Sequence, residues 1–263
     1  MIIADYHTHT KFSHGKNTIE ENVQQAREIG LKQIAITDHG LNHVAFGLSP
    51  KKVASMRKIV DGLNQAQNDV KVLLGVEANI VSRDGDIDIL PDRFSWFDII
   101  VCGYHKVVFG KNLTETIKFI AKNDILQVLK KADNKKLVEK NTEILCKAVR
   151  KNPIDIMSHP NHDMVIDAVA LAKVMKECGT YFELNAKKVH IDNATLKEVA
   201  KTGVEFIIDS DAHTASRVGD FKLSFDIAES VGIPKSQIVN WDRLPEFRSQ
   251  IERGKNKNLG KLI

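Results

Sequence analysis

Residues 4–16, ADYHTHTKFSHGK, place three of the chain's ten histidines within eight positions: His7, His9 and His14. Neutral imidazole is the commonest side-chain ligand for divalent metals. A purification tag would be contiguous and would not follow the strand-like opening MIIADY, which leaves a solvated loop or a metal site. Ligand-type residues recur further on: Asp38 with His39, then Glu77, His105, His159, Glu183 with Asn185, and Asp211 with His213. Seven histidines with Glu77 and Asp211 make nine candidate ligands, too many for one ion that also keeps open positions. Two or three divalent metals are implied, and nitrogen and oxygen donors suit zinc, manganese or iron. Clustered ions of this kind hydrolyse esters by acidifying a bound water and neutralising charge on a phosphoryl or carbonyl oxygen. His43 and His162 each follow a candidate ligand by three or four positions and read as contacts to ligands or substrate, or as ordinary surface residues. His190, in AKKVHID, follows no strand and is left out. Glu183 and Asn185 read either as site residues or as loop hydrogen bonders.

These residues need a scaffold, and the sequence repeats one plan: an amphipathic helix, a glycine stop, a β-branched run, a polar cluster. NVQQAREIG leads to LKQIAITDHG, LAKVMKECG to TYFELN, and LKEVAKTG to VEFIIDSDAH. Gly30, Gly179 and Gly203 fit the left-handed position past a helix end. Thr18 with Glu21 has capping-box spacing, and Ser49 before Pro50 marks another helix start. Short apolar runs at Ile2 to Ala4, Val72 to Leu74, Ile99 to Cys102 and Ile154 to Met157 read as strands buried on both faces. About seven strands alternating with helices argue for a parallel α/β sheet closed into a barrel, with an open doubly wound sheet as the alternative. Read along each strand, the candidate ligands fall at or just past its C-terminal end, and a parallel barrel gathers those ends at one mouth. Residues 106–150 are expected to form two lysine-rich helices decorating a βα connection, and residues 252–263 a frayed tail.

Composition excludes several classes. With 263 residues, 43% hydrophobic and 27% charged, the chain suits a single domain, 1–263, with one large core. No signal peptide or spanning segment is evident, so a cytoplasmic location is expected. Cys102, Cys146 and Cys178 lack CxxC spacing and read as core thiols. The +4 net charge is spread along helices and a basic tail, RGKNKNLGK, not in an aromatic-interleaved stripe. That pattern disfavours nucleic acid and a membrane as partners and suits a small anionic substrate.

Taken in order, DYHTHTKFSHG, ITDHG, GVEANI, GYH, SHP and SDAHT resemble the PHP (polymerase and histidinol phosphatase) superfamily, most closely its YcdX-type phosphatases. GVEANI followed by RDGDID and SDAHT points to that branch over histidinol phosphatases. The resemblance implies a distorted (β/α)7 TIM-like barrel with a trinuclear metal site, commonly zinc, at the C-terminal strand ends. It implies His7, His9, Glu77 and Asp211 on one metal, Glu77 bridging to a second held by His105 and His159, and His14, His39 and His213 on a third. The stretch after His105 is longer and more lysine-rich than the family pattern.

The reaction so implied is hydrolysis of a small phosphomonoester, with Glu77 and Asp211 as the central catalytic carboxylates. Arg217 could clamp a phosphate oxygen through its planar fork of donors, and Lys106 could act there as a point charge. Asp5 and Asp38 are expected to orient imidazoles. The alternatives are histidinol phosphatase proper, or a non-catalytic or nuclease-type accessory PHP module, against which the complete ligand set weighs.

Overall fold

The computed structural model describes residues 1–66, 69–123, 125 and 135–249. Seven strands, β1 (Ala4–Asp5), β2 (Gln33–Ile36), β3 (Lys71–Asn79), β4 (Ile99–Gly103), β5 (Ile156–Met157), β6 (Tyr181–Asn185) and β7 (Phe206–Asp209), form one parallel sheet in sequential order. β3 outruns its expected span because it serves two neighbours at different heights. Its first half pairs with β2, Gln33 to Ile36 against Lys71 to Leu74, and its second half with β4, Gly75 to Asn79 against Ile99 to Gly103. That stagger is what tilts strands into a barrel. β1 starts two residues later than expected, and β5 is confined to the last two residues of its apolar run.

The barrel closes in two ways. Near the mouth, Thr8 bridges Ala212, with His9 N–H donating to Ala212 O at 2.8 Å and Ala212 N–H to His7 O at 3.2 Å. Towards the base, Ile238 to Asn240 stands between β7 and β1. Val239 N–H donates to Phe206 O at 2.8 Å, and Ile3 N–H to Asn240 O at 3.0 Å. Buried Asn240 also donates to Ala4 O and Ile208 O, so its amide carries pairing that an eighth strand would supply.

Helices cover the outside. α1 (Ile19–Glu28) begins with the expected capping box between Thr18 and Glu21, and α2 (Pro50–Ala66) begins at Pro50, with Lys52 N–H donating to Ser49 Oγ. α3 (Lys135–Lys151), α4 (Ala168–Cys178), α5 (Asn193–Lys201) and α6 (Lys222–Val231) follow. Gly30, Gly179 and Gly203 take positive φ of 78°, 71° and 77°. Between β3 and β4 a 3-10 turn, Pro91–Trp96, replaces a full helix. α3 is not a decoration: it buries Ile144, Leu145, Ala148 and Val149 and is the β4-to-β5 crossover helix itself. Leu113–Glu115 continues into a wide π-type stretch, Thr116–Ala121, ahead of it. The expected tail at 252–263 lies outside the described residues. No helix among the described residues is long and apolar enough to cross a membrane.

Strand alternation sorts each side chain. On β3, Val72, Leu74, Val76 and Ala78 pack outward against the helices, while Leu73 belongs to a separate apolar cluster inside the barrel with Ile99, Val101, Ile156, Tyr181 and Ile207. Phe247 seals the base of that cluster, its ring 5.0 Å from Tyr6. Above the apolar layer, the same inward positions become Glu77, Asn79, Glu183, Asn185 and Asp209, all buried.

Candidate metal centre

The polar layer converges on Glu77. Its Oε1 lies 2.9 Å from His159 Nε2, 3.0 Å from His105 Nε2 and 3.2 Å from His7 Nε2. Its Oε2 lies 2.9 Å from His39 Nδ1 and 3.5 Å from His9 Nε2. Asp211 faces the same space, with Oδ1 3.4 Å from His9 Nε2 and 3.9 Å from His7 Nε2. Four sets of three donors are close enough to share an ion: His7, His9 and Asp211; Glu77, His105 and His159; His9, His39 and Glu77; His9, His14 and His213. The first two bring together residues that the resemblance assigns to common ions, although Glu77 is not within reach of all members of the first set. For the remaining residues the grouping differs: His14 and His213 gather on His9, while His39 turns its Nδ1 to Glu77. The rings of His14 and His39 are nonetheless stacked, 4.6 Å apart.

These residues fit divalent cations on grounds of hydrogen bonding alone. Imidazole nitrogens stand 3.2 Å apart in two places, His7 against His9 and His105 against His159. The Nδ1 atoms of His9 and His14 are buried and make no hydrogen bond, which costs about 1–3 kcal/mol per group if nothing else meets it. A donor cluster of this density is satisfied by cations and by little else.

The candidate donors are themselves held from behind. Glu183 Oε1 is 2.6 Å from His7 Nδ1, and Asn79 Oδ1 is 2.7 Å from His105 Nδ1. Each oxygen accepts a hydrogen bond from Nδ1–H, which leaves Nε2 aimed at the cluster. The second oxygen of Glu183 accepts from His159 N–H at 2.5 Å, so one carboxylate braces two donor sets. His159 and Asp211 both adopt positive φ, 28° and 50°, a strained backbone of the kind that clusters at functional sites. Gly103 makes room for His159: a Cβ there would lie 2.4 Å from Ser158 Oγ and 3.0 Å from His159 Cε1.

Charges are strongly coupled. Burial alone would raise the Glu77 carboxyl, yet His105 and His7 outweigh it and hold it well below the usual range. Asp211 is likewise held well down, by His7 and His9 against burial. Burial drives His9 well below an ordinary imidazole, whereas Glu77, Glu183 and Asp211 overcome burial to raise His7.

The centre floors a cavity of about 500 Å³ whose walls include His43, Phe46, Lys106, His162, Asp163, Lys187, Lys188 and His190. Lys106 reaches this wall but is held by Asp163 at 2.5 Å. Arg217 does not line the cavity; its guanidinium pairs with Asp220 at 2.6 Å. Asp38 and Asp5 fix backbone and not imidazoles. Asp38 accepts from Thr10 N–H at 2.7 Å and from the Thr10 and Ser13 hydroxyls, tying down the loop between His9 and His14. Asp5 accepts from Ser210 and Gly219 N–H groups, joining β1 to the loop after β7.

A family model described as the PHP domain matches residues 5–215. The chain belongs to the PHP domain family. The sequential seven-stranded barrel is therefore that of a PHP domain, with the candidate donor cluster at its strand ends. A curated relative named "Probable phosphatase", from Shewanella sp. strain MR-4, is 28% identical over 99% of this chain and 95% of its own length. "Probable phosphatase YcdX" from Escherichia fergusonii is 29% identical over 91% and 90%. Among solved structures, histidinol phosphate phosphatase from Lactococcus lactis, complexed with zinc, L-histidinol and phosphate, superposes with a TM-score of 0.58. It covers 94% of this chain and 97% of that one at 14% identity, a likeness of fold.

Asn79, Lys187, Lys188, Asp163 and Phe46 were not singled out from sequence. Asn79 had a signal, since it lies two positions beyond Glu77 on the same strand face. Glu183→Gln in this PHP domain is expected to weaken metal binding about 10–100-fold, measured by competition with a chromophoric chelator. Unchanged affinity would remove Glu183 from its bracing role.

Proposed function

We propose that this PHP domain is a metal-dependent phosphatase that releases phosphate from a small phosphomonoester, using two or three divalent ions, with zinc the leading choice and manganese or iron as alternatives. The observation that carries this is Glu77, whose two oxygens face five imidazoles belonging to separate donor sets. His7, His9 and Asp211 would hold one ion, and His105 and His159 another, with Glu77 shared; His14, His39 and His213 complete the third side of the cluster. Bound ions would lower the pKa of a water and neutralise charge on phosphoryl oxygens. The chain's own part is to fix their ligands. Glu183 and Asn79 select the tautomers of His7 and His105, and Asp38 clamps the loop that presents His9 and His14. Lys187, 3.6 Å from Asp211 Oδ2, adds positive charge beside the space a phosphoryl group would occupy.

The test is phosphate release from a panel of phosphomonoesters, histidinol phosphate included, by chelator-stripped protein with and without zinc, manganese or iron restored. Turnover is expected only with metal present. A fully loaded protein that releases phosphate from nothing in the panel would refute the proposal.

A further inference from the structure

Beyond the donor cluster, the cavity wall changes chemistry. Its acids are Glu77, Asp211 and Asp163, and the first two belong to the cluster itself. Asp163 is already matched, with Lys106 Nζ at 2.5 Å on one oxygen and His162 Nε2 at 3.5 Å from the other. Lys187 has Asp211 at 3.6 Å as its acidic neighbour, a carboxylate committed to the donor set. Lys188 forms no ion pair among the described residues. The wall therefore carries uncompensated positive charge and no free carboxylate.

Lysines on a surface are ordinarily solvated and mean little, but these two are placed. Adjacent residues of an extended strand point to opposite sides, yet Lys187 and Lys188 both line the cavity. The reason is the buried amide of Asn185, at the end of β6. Its Oδ1 accepts from Lys187 N–H at 3.0 Å and Lys188 N–H at 3.4 Å, turning the chain. Its Nδ2 donates to Glu183 Oε2 at 3.1 Å and Asp211 Oδ2 at 3.3 Å. One side chain thus ties the backbone of both lysines to the donor cluster.

We propose that the physiological substrate carries a second anionic group, a carboxylate or another phosphate, on the portion left after hydrolysis, and that Lys188 assisted by Lys187 receives it. The assignment deepens the phosphatase reading and rests on it. A leaving portion bearing an ammonium group, as in histidinol phosphate, meets like charge on this wall with no carboxylate to answer it. Discrimination comes from the sign of the charge and so weakens as salt is added.

The metal-reconstituted protein is assayed on a phosphorylated carboxylic acid, a bisphosphate, a neutral sugar phosphate and histidinol phosphate. Dissociation constants for methylenebisphosphonate and methylphosphonate are measured by calorimetry. At least one of the two doubly anionic substrates is expected to exceed the neutral ester about tenfold or more in kcat/KM, the scale of one charge-assisted contact; which one does so separates carboxylate from phosphate. The bisphosphonate should bind correspondingly tighter. In Lys188→Gln both ratios should fall towards one, and Lys188→Glu should shift the preference towards histidinol phosphate. Release of phosphate from all four substrates without preference, or a preference unchanged in both Lys188 variants, overturns the assignment while leaving the phosphatase intact. Absence of release from any substrate by metal-loaded protein sinks the phosphatase reading and this assignment together.

Discussion

Glu77→Gln is expected to lower phosphate release by about 10³-fold or more, equivalent to about 4 kcal/mol of transition-state stabilisation, and to remove at least one equivalent of bound metal. The substitution keeps shape and volume while changing what the cluster needs from this position. The carboxylate offers acceptors to three imidazole nitrogens through Oε1 and two through Oε2. Glutamine replaces one oxygen with an amide nitrogen that has no lone pair for an ion and turns its hydrogens towards the same imidazoles. It also deletes a negative charge from a centre where His7 and His105 already hold that carboxyl ionised against burial. Metal content by elemental analysis, turnover, and circular dichroism on the same preparation separate the outcomes. Loss of both metal and turnover in a folded protein is the expected result. Full activity with a full metal complement would end the bridging role of Glu77.

How far the chain could be read without coordinates follows from how local each signal is. Helix ends are written in adjacent residues, so the Thr18 capping box, the Pro50 start and the left-handed glycines at 30, 179 and 203 were legible and recur in the structure. The convergence of the candidate ligands was legible because a parallel barrel makes one rule, polar residues at strand ends, gather positions more than two hundred residues apart. Strand lengths were not, because pairing register is a non-local property: β3 runs to Asn79 only because β4 sits higher than β2. This moves Glu77 from a loop into a strand and gives it Asn79 as a neighbour on the same face. The same alternation carries Tyr181, Glu183 and Asn185 inward from β6, a period-two signal present in TYFELN. Asp38 misled because its neighbour in sequence is His39, while its partners in space are Thr10 and Ser13, on another loop. Arg217 misled for a related reason, since its nearest carboxylate, Asp220, lies on its own turn and not across the mouth.

Removing the metals should make the fold sensitive to mild acid, and the direction follows from the histidines. In the metal-free protein, burial depresses His9, His105 and His213, and depresses His14 to about 3 and His43 and His162 to about 4. A histidine depressed on folding is more readily protonated in the unfolded chain. Its contribution to stability is intact above the unfolded value, near 6.5, and is lost as pH falls towards the folded one. His7 and His159 act in the opposite sense, since both are raised despite burial; their contribution is complete below about 6.5 and fades as pH climbs through their folded values. The depressed group is the larger, so the melting temperature of stripped protein should drop steeply between about pH 6.5 and 4, ahead of carboxylate titration. Above neutrality a smaller decline is expected. One pKa unit on a buried group such as His9 corresponds to about 1.4 kcal/mol, or about 3–6 °C in a chain of this size, so several groups together give a fall of about 10 °C or more. Bound metal adds stability of its own by mass action and requires the ligands unprotonated, so loaded protein should stay level until the ions themselves dissociate in acid. Paired scanning calorimetry of stripped and loaded protein across pH 4 to 9 checks both limbs. A stripped protein whose melting temperature is flat from pH 6.5 to 4 would mean that the imidazoles of the centre are not packed as neutral donors facing one another.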